Sequence, residues 1–175
     1  MMQDVTFPLY AHFIFSWIGT AGFCLLAHVP SKYIVAASVT GSCGWTLYKY
    51  LVLTGNGSVI ACFLGACLVA LVSELFSRAG KEATTLFIIP GILPLVPGFG
   101  MYHTMVFLLE GDFQAAAGKG TETMLMAGGI ALAILLIASF TRLFTAALRR
   151  INNFIDLYNG KRIFKKNEQK TKHTR

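Results

Sequence analysis

The chain has 175 residues, of which 55% are hydrophobic and only 13% are charged. Soluble domains carry roughly 25% charged residues, so this composition excludes an ordinary soluble protein and indicates an integral membrane protein with one compact helical unit. The net charge of +7 does not indicate nucleic-acid binding, because the basic residues are concentrated in residues 149–175. In a membrane protein, such a cluster is a topology signal and a contact for anionic lipid.

Five stretches are apolar and long enough to cross a bilayer as helices, which needs about 20 residues each. In chain order they are residues 9–29, 33–53, 59–76, 83–109 and 123–140. The predicted fold is therefore an all-α polytopic membrane protein with about five transmembrane helices. A transmembrane domain of residues 1–148 is followed by a basic cytoplasmic tail of residues 149–175. The first residues contain no basic segment, so no cleavable signal peptide is expected.

Polar segments separate the predicted spans. Residues 77–82 form a link before the fourth span, and residues 110–122 form a longer loop before the fifth. Beyond the fifth span, the helix is expected to continue through residues 141–157 as an amphipathic segment at the membrane surface. The last stretch, from Lys161, is basic and polar and is expected to be disordered.

Positive charges determine the predicted orientation. The C-terminal tail, the link with Arg78 and the turn with Lys32 fall on one side of a five-span path, whereas Asp4 and the loop 110–122 fall on the other. The positive-inside rule then places the N-terminus outside and the C-terminus in the cytoplasm. Lys49, near the outer end of the second span, is the one residue that argues against this orientation.

The fourth span contains the stretch FIIPGILPLVPGFGMYHT, which is apolar and yet rich in helix breakers. Within eleven residues it carries Pro90, Gly91, Pro94, Pro97, Gly98 and Gly100. Proline removes a backbone donor and clashes with the preceding turn, and glycine leaves helical angles at low cost. Non-helical backbone at membrane depth persists only where it is buried in protein or lines a wet cavity. The stretch therefore predicts a discontinuous helix at a transporter's binding site; the alternative is a kinked or re-entrant helix that only packs against its neighbours.

The ends of a broken helix attract charged groups. Free carbonyls attract an ammonium group, and the N-terminus of the helix that resumes near Met101 attracts a carboxylate. A zwitterionic amino acid satisfies both. Tyr102, His103 and Thr104 follow directly, and hydroxyls or an imidazole beside unwound backbone are able to recognise a small polar solute or carry a proton. These three residues are therefore further candidates for substrate binding.

Glu74 is an ionisable residue near the end of the third span, where a charge is costly. Two interpretations remain open. It is either a proton-coupling or cation-coupling site, or the partner of Arg78 in an ion pair at the favourable i,i+4 spacing. The sequence shows no ligand spacing for a metal and no catalytic set, so neither a cofactor nor an enzymatic activity is expected.

The run IIPGILPLVPGFGMYHTM, followed by Glu110-Gly111-Asp112 and a final span of small residues, resembles the threonine/serine exporter family. More narrowly, the run resembles the short membrane subunits that correspond to the C-terminal half of that family. The segments FCLLAHVPSKYIVAASVTGSCGW and Ser73-Glu74-Leu75 match as well, so the resemblance covers residues 9–140.

The resemblance implies half of a secondary exporter in a bacterial inner membrane. It implies small amino acids as substrates or, in some relatives, dicarboxylates such as succinate. It also implies a partner subunit that resembles the N-terminal half of the family, although a homo-oligomer remains open. Carried over by residue, the motif implicates Pro90, Gly91, Pro94, Pro97 and Gly98 in substrate passage. The leading hypothesis is export of threonine and serine driven by the proton motive force, and a scaffold that only stabilises the partner is the competing hypothesis.

Overall fold

The computed structural model describes the backbone of residues 8–172 and the side chains of residues 8–147 and 150. The described residues form α1 (Leu9–Leu26), α2 (Ser31–Leu53), α3 (Ser58–Gly80), α4 (Thr85–Ile92), a 3-10 turn (Leu93–Leu95), α5 (Gly98–Leu109) and α6 (Phe113–Lys172). The predicted all-α fold is confirmed. The chain divides into two compact units, one that ends at Ile137 and one that begins at Ala138. The prediction about a signal peptide concerns residues that lie outside the described ones.

Three helices among the described residues are long and apolar enough to cross a membrane: α1, α3 and the part of α6 from Phe113 to Ala147. A fourth span results if the bent pair of α4 and α5 counts as one. The chain is thus a multi-pass membrane protein, with one span fewer by this measure than the five predicted. The difference is α2, which has the length of the predicted second span but not its apolar character.

The polar character of α2 is accommodated within the protein. The hydroxyls of Ser38, Thr40 and Ser42 each donate to a carbonyl one turn back in the same helix, at 2.7–2.8 Å. All three side chains are fully buried, because α2 packs against α1, α3 and α4. The predicted second span is therefore a central helix surrounded by others, and hydroxyls bonded to their own helix cost little there.

The predicted break in the fourth span is present but shorter than expected. Pro90 lies inside α4, Leu93–Leu95 continue as a 3-10 turn, and only Val96 and Pro97 leave helical conformation before α5 begins. The helix axis bends by 46° at this point. The helix therefore resumes at Gly98 rather than near Met101, and α4 continues past Pro90, because a proline removes only its own backbone donor.

The predicted connections are corrected in three places. The link 77–82 is mostly helical, because α3 continues to Gly80 and ends at Lys81 in the left-handed conformation, with φ 56°. The loop 110–122 shrinks to three residues, because α6 begins at Phe113. The tail from Lys161 is helical to Lys172; it contains no proline, and lysine, arginine and glutamine are good helix formers.

Close contact between α2, α3 and α4 depends on glycine. A Cβ atom on Gly44 would lie 2.3 Å from Cγ2 of Val69, and a Cβ atom on Gly91 would lie 3.0 Å from Cγ1 of the same valine. The two methyl groups of Val69 thus fit against one glycine of α2 and one of α4. Val69 also belongs to a buried cluster with Leu95 from the break and Ala133 from α6. This packing fixes the break against the central helices.

The second unit contains the part of α6 from Ala138 onward. Thr141 donates to the carbonyl of Ala138 at 3.1 Å, and Thr145 donates to that of Thr141 at 2.7 Å. The rings of Phe140 and Phe144 are stacked with centroids 6.4 Å apart. The prediction that the helix continues through residues 141–157 is confirmed, whereas its contact with the membrane surface stays a prediction.

Candidate functional site

A cavity of about 190 Å³ opens beside the break between α4 and α5. Among its lining residues are Trp45 and Tyr48 of α2, Ser58 at the start of α3, Pro94, Pro97 and Gly100 at the break, and Lys119, Glu122 and Thr123 of α6. Four separate parts of the first unit therefore meet at this point. We refer to this space as the break cavity.

One wall of the break cavity carries charges of both signs. The ammonium group of Lys119 donates to Oε2 of Glu122 at 2.8 Å, and about a third of each side chain is exposed, 34% and 37% respectively. Ser58 lines the same cavity. A short charge-assisted hydrogen bond of this kind is stronger than a neutral one. The wall thus offers a small solute one cationic and one anionic partner.

The start of α6 explains why these charges face the break. The carboxylate of Asp112 accepts a hydrogen bond from the backbone N–H of Ala115 at 3.0 Å, which caps the helix. Further along the same helix, Thr123 is buried against α5, since a Cβ atom on Gly100 would lie only 2.4 Å from its Oγ1. The hydroxyl of Thr123 donates to the carbonyl of Lys119 at 2.7 Å. The contact between Gly100 of α5 and Thr123 of α6 therefore also helps to position Lys119, the cationic residue of the cavity.

Aromatic rings form another wall of the break cavity. The ring centroids of Trp45 and Tyr48 lie 5.3 Å apart, and the ammonium group of Lys49 lies 5.5 Å from the Trp45 ring centroid. A second cavity, of about 480 Å³, is lined by residues of α1 together with Trp45 and Pro94. Because Trp45 and Pro94 line both cavities, these two residues form the wall between them.

Comparison with known families decides the class of this protein. The family model described as "Threonine/Serine exporter, ThrE" matches residues 12–140. The chain belongs to the threonine/serine exporter family. No solved structure matches it. Family membership and the apolar helices together make this chain a membrane transporter of the exporter type, placed in a lipid bilayer and acting on a small solute.

The exporter's predicted site residues fall into three groups in the structure. Pro94, Pro97 and Gly100 line the break cavity. Pro90 and Gly91 are buried in α4, where Gly91 packs against the side chains of Thr40 and Val69; their surroundings are those of packing residues. The remaining four, Gly98, Tyr102, His103 and Thr104, belong to α5 and are absent from the residues that line the break cavity.

The structure does not bring the side chains of Tyr102, His103 and Thr104 together at the break cavity. Tyr102 is 66% exposed, and the ring of His103 lies in an aromatic group, with its centroid 4.2 Å from that of Phe99 and 5.6 Å from that of Tyr102. The hydroxyl of Thr104 donates to the carbonyl of Gly100 at 2.8 Å, within its own helix. Three residues that follow the break in sequence are therefore not gathered around one ligand position.

Glu74 lies in an interhelical hydrogen-bond group rather than at the break cavity. Its Oε1 atom accepts from the guanidinium group of Arg78 at 3.2 Å, which is one of the two interpretations that the sequence left open, and the hydroxyl of Thr84 donates to its Oε2 atom at 3.1 Å. Thr84 also contacts Ser77, whose hydroxyl donates to the Glu82 carbonyl at 2.6 Å. The group therefore connects the end of α3 to the start of α4, and a coupling role for Glu74 stays a prediction.

The exporter's most informative site residues, Lys119 and Glu122, were missed because their segment was assigned to a loop. Gly118 and Gly120 on either side of Lys119 favoured that assignment. The opposing signal was present in the sequence: an aspartate at the capping position is followed by Ala115-Ala116-Ala117, three residues of the highest helix propensity. A helix through this segment places Lys119 and Glu122 on one face at i,i+3.

Proposed function

We propose that this chain is a subunit of a secondary transporter that exports small zwitterionic amino acids, threonine and serine among them, from the cytoplasm. The observation that carries the proposal is the pair of opposite charges, Lys119 and Glu122, in the wall of the break cavity. An α-amino acid carries one group of each sign at a fixed short separation. The cavity, at about 190 Å³, is smaller than the roughly 300–1,000 Å³ of sites for drug-sized ligands, which suits a small solute.

The start of α5 supports the same substrate class. Helix N-termini present N–H groups without intrahelical partners and a positive partial charge, and Phe99 and Gly100, in the first turn of α5, line the break cavity. In the proposed complex, the substrate carboxylate lies near this helix start and Lys119, and its ammonium group lies near Glu122. A dicarboxylate such as succinate would place its second anionic group against Glu122, so the geometry favours the amino acid.

The proposed transporter also needs an energy source, a partner subunit and a defined orientation in the membrane. Transport is driven by the proton motive force and requires a second membrane subunit, resembling the N-terminal half of the family, or a second copy of this chain. Access to the site alternates as one block moves against the other. The location is the bacterial inner membrane, with the N-terminus outside and the C-terminus in the cytoplasm, as the distribution of positive charges favours.

Export from whole cells tests the proposal. Cells loaded with threonine-containing dipeptides are compared in three forms: without this chain, with it alone, and with it together with the product of a neighbouring membrane-protein gene. We expect external threonine to rise faster only when both chains are present. A parallel loading with succinate tests the dicarboxylate alternative. Unchanged threonine release in every strain would contradict the amino-acid assignment.

Replacing Pro94 or Pro97 with alanine is expected to reduce threonine export and leave membrane insertion intact. Either change supplies a backbone N–H at the break, so helix can extend into the segment that lines the cavity. Export and the amount of chain in the membrane are measured in the same cells. Pro8→Ala, at the exposed residue before α1, is the control. A fall in membrane protein that matches the fall in export would mark the prolines as structural, as the scaffold hypothesis requires.

A further inference from the structure

The two charged side chains of the break cavity are paired with each other. Lys119 and Glu122 neutralise each other across 2.8 Å. A solute that approaches either residue must therefore compensate for the contact that it breaks. This condition restricts which solutes bind.

We infer that substrate opens the Lys119–Glu122 ion pair and that this pair is the specificity determinant for zwitterions over singly charged solutes. This inference rests on the proposed function. A zwitterion replaces one ion pair with two, because its carboxylate takes the place of Glu122 at Lys119 and its ammonium group takes the place of Lys119 at Glu122. The net charge of the cavity stays the same throughout.

A solute with one charge leaves an uncompensated ion in the cavity. An amine displaces Lys119 from Glu122 and leaves the lysine unpaired, and a carboxylate does the reverse to Glu122. Leaving a partly buried charge without a partner is costly, whereas exchanging partners is nearly neutral. The discrimination therefore comes from the cost of the wrong ligand rather than from extra affinity for the right one.

The surroundings of the pair favour such an exchange. Both side chains are about one-third exposed and both line the cavity, so solute reaches them without unfolding the helix. Their backbone is fixed, because the Lys119 carbonyl accepts from Thr123, which is buried against Gly100. The i,i+3 contact is also local to one turn of α6, so it opens by side-chain rotation alone.

A second ion pair in the same unit provides a matched control. Glu74 and Arg78 are also neighbours on one face of a helix, with 3.2 Å between their charged atoms. They do not line the break cavity. Neutralising Glu74 therefore removes an ion pair of the same kind without changing the cavity's charges.

The test measures selectivity in inside-out membrane vesicles that contain the full chain together with its partner. Uptake of labelled threonine is inhibited by serine, threonine methyl ester, N-acetylthreonine or succinate. With the wild-type chain we expect inhibition by serine and little by the other three. With Lys119→Met, threonine methyl ester should inhibit as well as threonine does, and with Glu122→Gln, N-acetylthreonine should do so. Each variant should bind threonine about tenfold to a hundredfold more weakly, the cost of one charged hydrogen bond.

Three results separate the possible outcomes. If Lys119→Met and Glu122→Gln lower uptake with an unchanged ranking of inhibitors, the inference is overturned, although the exporter function stands. If the wild-type vesicles take up no threonine, the proposed function itself fails. Glu74→Gln should leave the ranking unchanged whatever it does to the rate, and an altered ranking would overturn the assignment of selectivity to the cavity pair.

A charge exchange keeps the test decisive if the single variants fail to fold. Lys119→Glu combined with Glu122→Lys restores an ion pair at the same spacing, so the chain should return to the membrane and again prefer zwitterions. Loss of that preference in a well-inserted double variant would contradict the inference.

Discussion

Gly44→Ala is expected to destabilise the folded chain, because the added methyl group overlaps with the core. The added Cβ atom would lie 2.3 Å from Cγ2 of Val69, and also 3.3 Å from the backbone carbonyl oxygen of Gly65. Val69 has little freedom to move away, because a β-branched side chain in a helix strongly prefers one rotamer. Overpacking of this kind costs about 1–3 kcal/mol.

The measurement is the midpoint of thermal unfolding of the detergent-purified chain. At about 2–4 °C per kcal/mol for a chain of this size, the Gly44→Ala midpoint should fall by several degrees. Gly22→Ala, at an exposed glycine of α1 with no atom within 4 Å of the new methyl group, is the control. Alanine is a better helix former than glycine, so its midpoint should stay the same or rise.

A second substitution checks the cause. Val69→Ala removes the clashing methyl group, so the double variant should lose less stability than the two single variants lose together. Strict additivity of the two changes would contradict the contact between Gly44 and Val69 as the source of the effect.

Gly100→Ala is expected to abolish most export while its neighbour Gly98→Ala is tolerated. Both glycines lie in the first turn of α5. A Cβ atom on Gly100 would lie 2.4 Å from Oγ1 of Thr123, whereas one on Gly98 would meet no atom within 4 Å. Thr123 is held by its hydrogen bond to the Lys119 carbonyl. The new methyl group therefore separates α5 from α6 or rotates Thr123, and either change displaces the charged wall of the cavity.

The size of this effect follows from the strain. Overpacking costs about 1–3 kcal/mol. If this strain destabilises the substrate-bound form of the cavity, threonine export should fall about fivefold to a hundredfold. Export is compared at equal amounts of membrane protein. Adding Thr123→Ala should restore export to the Gly100→Ala chain, because the clashing oxygen is removed, whereas Thr123→Ser retains that oxygen and should not. Equal rescue by alanine and serine would contradict the predicted contact.

The cluster of prolines and glycines was sufficient to predict a broken helix, because proline removes donors wherever it occurs. It was not sufficient to assign roles to the individual residues. Pro94 and Gly100 line the break cavity, whereas Gly91 packs against Thr40 and Val69. A glycine needed for close packing and one needed at a cavity look alike in a sequence. Only the identity of the neighbouring atoms separates them.

Local spacing also offered the Glu74–Arg78 ion pair as one of two interpretations, because residues four apart in a helix share a face, and the structure contains that pair. The equivalent argument failed for Lys119 and Glu122, where two glycines near the start of α6 were interpreted as a loop. The capping hydrogen bond from Ala115 to Asp112 and the packing of Thr123 on Gly100 overcome the low helix propensity of those glycines. Tertiary contacts routinely outweigh propensity in this way.

By itself, the sequence determined that the chain is an all-helical membrane protein with a broken helix, since composition and local spacing depend on the chain alone. Its proline- and glycine-rich motif also indicated the exporter family. Only the tertiary structure decided which residues line the candidate site. The break cavity combines α2, α3, α5 and α6, and it is lined by both Tyr48 and Glu122, which are far apart in the chain. Whether two such residues meet depends on how the helices cross, and helix crossing is set by the packing of small residues such as Gly44 and Gly100 rather than by any pattern along the sequence.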